Sequence, residues 1–558
     1  MQFSSRKITR RSLVQGGAAL AATAVARADG HGQTPVPGDD IVREVTIEEI
    51  RQGFEEQRFS ISEFTEASLQ RIEAMDHQGV ELHAMIEVNP DAISIAEQLD
   101  QELRDGKSRG PMHGVPVVVK DVFATADNMQ TTAGSRSMAG TVASRDAFIV
   151  QRMREEGMVI LGKSNLTEWS GFRPVLYGWS PRGGLSVNPN VTTQTTWGSS
   201  SGSAAAVAAS YVPVSVGVET DGSIICPASA CGVVGIKPTV SLTSRQGGIG
   251  NGYTLDSPGV MGRTVADAAA MLSVIAGFDP EDVAFGEHAD LFPAGREYAN
   301  LVHPTGVRDY TRAIVDGGLE GVRIGVMRSF WGQDVEANRH AENALDAMVD
   351  AGAILVDDLY PDASYRVQGT WAAGETMGVE FPVIFNHFLQ DYAPNSPVKN
   401  LEDIVQWYNE NPLESQWAWE YDALSASLWP QPEWGQSHLA WIDELTTAAR
   451  RDGIDQMMDE HDLDAVVTPT CAIATRWDNT SHFWSSSQFA ASAGYPSVTV
   501  PVGYTEDLPA GLYIFGRAFS ERKLIRYAAE LERTLQARIA PQFWEHTNYD
   551  DYYAPIPW

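Results

Sequence analysis

Two serine-and-glycine turns in the stretch Trp197–Pro227, WGSSSGSAAAVAASYVPVSVGVETDGSIICP, carry residue types suited to acyl transfer. Ser199, Ser200 and Ser201 sit in the first turn, and Ser223 lies in the second. A serine hydroxyl is a weak nucleophile until a base stands within hydrogen-bond reach. Gly198, Gly202 and Gly222 allow backbone N–H groups to approach a ligand closely. None of the chain's 12 histidines falls in this stretch. A lysine can take the base's place if burial keeps its amine neutral. Lys120, which ends the valine-rich run Val115–Val119, is such a residue. Burying an ammonium is costly unless it is paired or neutralised. An ion pair from Lys120 to Asp121 or another carboxylate is therefore the plain alternative, and composition alone favours it.

The elements that must position these side chains are readable in outline. Ala204–Ala209 is a run of small residues suited to a closely packed helix, Val212–Val218 reads as a buried strand, and Glu219–Ser223 is a polar turn. Upstream, Thr46–Gln57 and Ser60–Met75 have helical periodicity, with Thr46/Glu49 and Ser60/Glu63 at the capping-box spacing. Met85–Val88 is a strand candidate and Pro90–Arg104 a helix; Ala147–Glu156 follows as a helix and Met158–Leu161 as a strand. Asp267–Ala276 follows as a helix capped by Thr264; Asp464–Pro469, Tyr495–Pro501 and Gly511–Gly516 read as strands, and Glu521–Arg533 as a closing helix. Strands alternating with helices predict a layered α/β fold with a largely parallel sheet.

Two short motifs are decoys. Gly198-Ser199-Ser200-Ser201-Gly202 satisfies the G-x-S-x-G elbow, which would make Ser200 the nucleophile. The elbow needs an apolar strand before it, whereas Val191–Thr196 is polar. Gly157–Ser164 matches the phosphate-loop pattern, yet Met158–Leu161 is an apolar run unable to form an open cradle.

The pair GSSSGSAAAVAA and ETDGSIICPA, together with Gly114-Val-Pro-Val-Val-Val-Lys120-Asp121, resembles the amidase signature family, and most of all its bacterial peptide-amidase branch. The resemblance runs from about Val45 to Phe278 and again from about Asp464 to Leu535. It implies a mixed, largely parallel central sheet covered by helices on both faces, with a variable helical cap over about residues 292–463. It also implies a Ser–cisSer–Lys triad of Ser223 as nucleophile, Ser199 as bridging serine and Lys120 as base, with the Gly198–Ser199 peptide cis. Backbone N–H groups of Thr220, Asp221, Gly222 and Ser223 would form the oxyanion hole. Gly198 and Ser200 would support them, and Trp169, Phe172 and Arg173 are pocket candidates. Three positions depart from the family motif. Asp221 replaces a glycine, Glu219 an aspartate, and Ile225 an arginine.

With 558 residues and 43% apolar content the chain can bury a large core, expected as one domain over residues 45–558 after a linker at 29–44. Its formal net charge of −33 is spread along the chain and disfavours nucleic-acid or anionic-membrane partners. Residues 1–28 carry Arg6, Lys7, Arg10 and Arg11, a mildly apolar stretch and Ala26-Arg27-Ala28. They read as a twin-arginine signal that would engage the export machinery and send the protein to a bacterial periplasm or beyond; a basic tail is the alternative. Cys226, Cys231 and Cys471 are too few for a disulfide scaffold. No further apolar run is long enough for a membrane span, no metal-ligand spacing is present, and no cofactor is expected. Trp371, Met377, Phe381, Phe385, Trp407, Tyr408, Trp417, Trp419, Tyr421, Trp429, Trp434 and Trp441 fall in the cap. The leading expectation is an exported hydrolase of linear amides, either C-terminal peptide amides or aryl and alkyl amides, with esters as further substrates. The alternatives are a catalytically silent binding protein on the same fold and an amidotransferase A-type subunit.

Overall fold

A computed structural model describes residues 38–172, 176–282, 309–331, 334–369, 372–412 and 435–545. The segment read as an export signal and Arg173 lie outside the described residues, as do Trp371, Trp417, Trp419, Tyr421, Trp429 and Trp434. The end of the expected linker is not featureless: Asp39–Val42 forms a short helix whose Val42 is buried beside Ile50, Phe64 and Ala67.

Thirteen strands are described. In chain order they are β1 (Met85–Val88), β2 (Pro116–Lys120), β3 (Val159–Ser164), β4 (Trp179–Ser180), β5 (Gly184–Leu185), β6 (Val214–Glu219), β7 (Val234–Lys237), β8 (Ser257–Gly262), β9 (Arg323–Met327), β10 (Ile354–Leu359), β11 (Ala465–Pro469), β12 (Ser497–Thr505) and β13 (Leu508–Phe515). Eleven of them form one mixed sheet in the order β1-β3-β2-β6-β8-β7-β12-β13-β11-β9-β10, while β4 and β5 make a separate hairpin. Parallel pairing is concentrated in two blocks, β3-β2-β6 and β11-β9-β10. Antiparallel pairs join the blocks and add β1 at one edge.

Helices cover both faces because the strand residues are apolar on both. Val117, Val119, Val214 and Val216 pack with Ile149 and Met153 of the Phe148–Glu155 helix and Leu272 of the Val265–Ile275 helix. On the other face Val118, Val159 and Met261 meet Ala204–Ala208, together with Ile72 and Leu99 from the helices Ile61–Met75 and Ala92–Arg104. Both expected capping boxes are formed, at Thr46 and at Ser60, and Thr264 caps its helix by accepting from the Asp267 amide.

Part of the stretch expected as helical cap belongs to the sheet. β9, the helix Val335–Asp350 and β10 build a strand–helix–strand unit that extends the sheet beyond β11. β10 is an edge strand and mostly solvent-facing, so its apolar pattern is weak. The helices Ala372–Asp391, Leu401–Glu410 and Gln436–Ala449 occupy the rest of the described cap.

The small-residue helix Ser201–Ala208 lies hard against the sheet. A Cβ on Gly202 would come within 2.2 Å of the Ala84 carbonyl and 2.5 Å of the Asn165 amide, both fixed backbone atoms. Gly202→Ala is therefore expected to lower stability by about 1–3 kcal/mol. Gly378→Ala, inside the helix Ala372–Asp391 with nothing within 4 Å of the added Cβ, should raise it by about 0.5–1 kcal/mol. Thermal unfolding followed by circular dichroism checks both signs.

Candidate active site

Alternation along β2 turns Val118 and Lys120 towards the small-residue helix. Lys120 is fully buried, and its Nζ donates to Ser199 Oγ at 2.8 Å. Burial lowers its pKa to about 7, against the nearby charges of Asp256 and Glu219, which favour the ammonium. The ion pair with Asp121 is not formed. Asp121 instead accepts from the Thr132 and Gly134 amides and the Thr132 hydroxyl, and it stands by Lys163 and Arg182. The β2–β3 register slips by one residue after Val117, which sets Lys163 beside Val119 rather than Lys120. Lys163 then donates to the Phe123 carbonyl at 2.7 Å and to Thr131 Oγ1 at 2.9 Å.

The two serine turns meet at the carboxyl ends of β2 and β6. The Gly198–Ser199 peptide is cis, and the Ser199 carbonyl accepts from the Thr167 amide at 3.0 Å. A Cβ on Gly198 would lie 2.4 Å from Thr167 Oγ1, so the turn closes only around glycine. The Ser200 amide donates to the Ser223 carbonyl at 3.1 Å, a direct tie between the turns. Ser223 and Ser199 keep slight exposure, 8% and 4%, whereas Ser200 has none. The Ser200 hydroxyl donates to the Val218 carbonyl at 3.2 Å, and that of Ser201 to the Trp197 carbonyl at 2.7 Å. Both hold the first turn against its surroundings. The structure therefore brings Lys120 onto Ser199, ties the turn that carries Ser223 to the amide of the next residue, Ser200, and turns the elbow serine inwards.

Buried carboxylates shape the second turn. Glu219 accepts from the Ile224 and Ile225 amides at 2.8 and 3.0 Å and faces the buried Lys237, whose pKa burial lowers to about 8. Thr220 donates to Asp256 at 2.5 Å, and Asp256 also accepts from the Asn251 and Gly252 amides at 2.7 and 3.2 Å. Gly222 bends the chain with φ of +79°. Asp221 is only half-buried and accepts from Ser487 Oγ at 2.5 Å; burial raises its pKa to about 6. Ile225, where the family has arginine, is fully buried in an apolar cluster with Trp197.

Trp169 and Phe172 form an aromatic core rather than an open wall, being 1% and 3% exposed. Phe172 stacks on Phe381 at 4.3 Å, and Trp169 meets Phe381 and Phe385 edge-on at 6.1 and 5.7 Å. Trp169 Nε1 donates to Tyr408 Oη at 3.0 Å, and Tyr408 donates to Glu168. These are the cap aromatics that reach the motif-bearing half of the chain, a choice the sequence left open. Sequence reasoning also missed Asp256, Tyr177 and Ser487. The run Ser485-Ser486-Ser487 was the available signal for the last. Among the described residues no cluster of His, Cys, Asp and Glu has the geometry to hold a metal ion, and no helix is long and apolar enough to cross a membrane.

The family model for amidases matches residues 63–525. A probable amidase of Arabidopsis thaliana is 36% identical over 514 residues, spanning 90% of this chain and 92% of the relative. The solved structure of native peptide amidase from Stenotrophomonas maltophilia superposes with a TM-score of 0.82 at 35% identity, covering 92% of this chain and 100% of that one. The A subunit of glutamyl-tRNA(Gln) amidotransferase from Chloroflexus aurantiacus is 32% identical over 84% of this chain and 92% of its own. The resemblance read from the serine turns and the Lys120 segment is thus borne out, peptide-amidase branch included. The bacterial periplasmic or secreted location is corrected. A probable amidase of Arabidopsis thaliana and putative amidases of Schizosaccharomyces pombe and Arthroderma benhamiae match this chain over 82–90% of its length at 30–36% identity, which points away from a bacterial exported protein. The segment read as a signal lies outside the described residues.

The geometry at Lys120 has a direct spectroscopic consequence. Its amine should titrate with a midpoint near 7, followed by the carbon-13 shift of Cε. Asp256→Asn removes a charge that favours the ammonium and should move the midpoint lower still. A midpoint near the ordinary lysine value of about 10.4 would contradict the buried, neutral amine.

Proposed function

The chain belongs to the amidase family, and on that basis we propose that it hydrolyses linear carboxylic amides through an acyl-enzyme on Ser223. C-terminal amides of peptides and aryl or alkyl amides are the substrate classes. The observation that carries this reading is the 2.8 Å bond from Lys120 to Ser199 in a site dry enough to bring the amine to about 7. The likeness to peptide amidase supports the peptide-amide substrate.

In this mechanism neutral Lys120 takes the Ser199 proton while Ser199 takes the proton of Ser223, and Ser223 Oγ bonds to the amide carbonyl carbon. The oxyanion develops against backbone N–H groups of Thr220, Asp221, Gly222 and Ser223, each donor worth about 2.7–4 kcal/mol in sites of this kind. As the C–N bond breaks, Ser199 protonates the leaving nitrogen and recovers a proton from Lys120. Water then attacks the acyl-enzyme, gives its proton back along the same path and releases the carboxylic acid. Glu219 holds the amides after Ser223 and Asp256 the Thr220 hydroxyl before it, so the turn is braced on both sides before substrate arrives. Trp169 and Phe172, with Phe381 and Phe385, form a rigid apolar backing near the site.

An amidotransferase A-type role is the second reading, favoured by the 32% identity to the Chloroflexus aurantiacus protein. The formal net charge of −33 opposes a tRNA-bound role, because phosphate binding needs clustered basic residues.

Release of ammonia or amine from a panel of simple amides, peptide amides and glutamine tests both. Ser223→Ala and Lys120→Ala should each cost on the order of 10³-fold or more in kcat, whereas Ser200→Ala should stay within about tenfold. Loss confined to Ser200→Ala would assign the nucleophile to Ser200, and turnover of glutamine alone would favour the second reading. The rate of wild type should rise with pH through about 7, because only the deprotonated Lys120 accepts a proton.

A further inference from the structure

Asp221, two residues before Ser223, departs from the motif with a charged side chain, and its surroundings give it a definite orientation. Ser487 Oγ holds Oδ1 at 2.5 Å. Ser487 is itself fixed by Ser485, whose Oγ lies 2.7 Å from Ser487 Oγ, accepts from the Ser487 amide at 3.1 Å and receives the Cys226 thiol at 3.2 Å. No described residue donates to Oδ2, and the side chain is half-exposed. A carboxylate anchored by one oxygen thus presents the other, an acceptor only, to whatever occupies the site.

Tyr177 faces the same space. Its ring packs edge-on to Trp197 at 5.6 Å and against Phe483 at 5.0 Å. Its Cδ1 lies 3.5 Å from the point where a Cβ on Gly198 would sit, which places the ring beside the Gly198–Ser199 peptide. Tyr177 is half-buried, and its hydroxyl makes no hydrogen bond to a described residue. Burial, followed by the charges of Cys226 and Asp221, raises its pKa, so it is a neutral phenol able to donate. Tyr177 therefore stands beside the Ser199 peptide and feels the charge of Asp221, which lies two residues before Ser223 in the second turn. In the mechanism above, Ser199 is the group that protonates the departing nitrogen.

We infer that Asp221 and Tyr177 form a leaving-group subsite in which Asp221 Oδ2 accepts a hydrogen bond from the N–H of the scissile amide, making the enzyme selective for amides over esters of the same acyl group. The inference rests on the acyl-enzyme reading. An amide nitrogen offers the carboxylate a hydrogen throughout C–N cleavage, and the departing ammonia or amine keeps one. An ester oxygen offers none and turns lone pairs towards a negative charge. A site built to accept a substrate N–H discriminates strongly against the analogue lacking it, because its own polar group is then left unpaired. Asp221, raised to about 6, is ionised at the neutral-to-alkaline pH where Lys120 is neutral, so both groups are in their working forms together.

The test compares kcat/KM for benzyloxycarbonyl-phenylalaninamide and the methyl ester of the same acyl group, in wild type, Asp221→Asn, Asp221→Gly and Tyr177→Phe. Asp221→Asn keeps the side chain's size but presents an N–H2 donor to the leaving nitrogen, and Asp221→Gly restores the residue usual in the family motif. Amide turnover should fall 10- to 100-fold in both Asp221 variants while ester turnover changes less than threefold, and Tyr177→Phe should shift the ratio in the same direction by a smaller factor. Equal losses on both substrates, or no loss on either, would overturn the subsite. If Asp221→Asn is insoluble, the ratio in Asp221→Gly decides. A wild type that cleaves neither substrate fails the acyl-enzyme reading itself; a wild type that cleaves both with an unchanged ratio in the variants fails the subsite alone.

Discussion

A lysine amine sealed from water at the end of a central strand is the constraint that every other feature of this site answers to. Lys120 is fully buried and spends its hydrogen bond on Ser199 Oγ rather than on a carboxylate. Such a group is tolerated only if the surroundings supply enough negative potential to limit the cost of burial without pairing it outright. Asp256 and Glu219 do this from a distance, since their hydrogen bonds go to the Thr220 hydroxyl and to the amides of Asn251, Gly252, Ile224 and Ile225 rather than to the lysine. The same carboxylates that moderate the lysine also hold the turn that carries Ser223.

Keeping that region dry explains the small residues. Gly202 and Ala204–Ala208 let their helix approach the sheet at backbone distance, and Gly217 leaves room for Ser200, whose Oγ would otherwise meet a Cβ at 2.7 Å. The serine hydroxyls at 200 and 201 are turned onto backbone carbonyls, which satisfies them without water. What remains with slight access is Ser199 and Ser223.

The departures from the family motif have separate physical consequences. Glu219 reaches the first amides of the Ile225–Cys231 helix, and Ile225 fills an apolar cluster with Trp197 where an arginine would have needed a partner. Asp221 keeps the backbone of the turn and adds a carboxylate beside Tyr177 and Ser487. The first two concern packing, and the third adds a charge to the second serine turn.

Local sequence was enough to define most elements and the residues closest to the chemistry. Capping boxes at Thr46 and Ser60, the strand ending at Lys120 and the two serine turns are local patterns, each set by neighbours in the chain. Their surroundings are a product of the assembled fold. Asp256 meets Thr220 across 36 positions, Ser487 meets Asp221 across 266, and Tyr408 reaches Glu168 across 240. Nothing local marks such partners, because a hydrogen bond between distant segments depends on where the sheet and helices bring them. The same holds for β9, which joins the sheet through β11, and for β10, which pairs with β9 at the sheet edge and is mostly solvent-facing, so its apolar pattern is too weak to distinguish it from the cap. The choice between an ion pair and a hydrogen bond to Ser199 for Lys120 was also tertiary. It turned on which face of β2 the amine occupies and on a one-residue slip in β3, and both are properties of the assembled sheet.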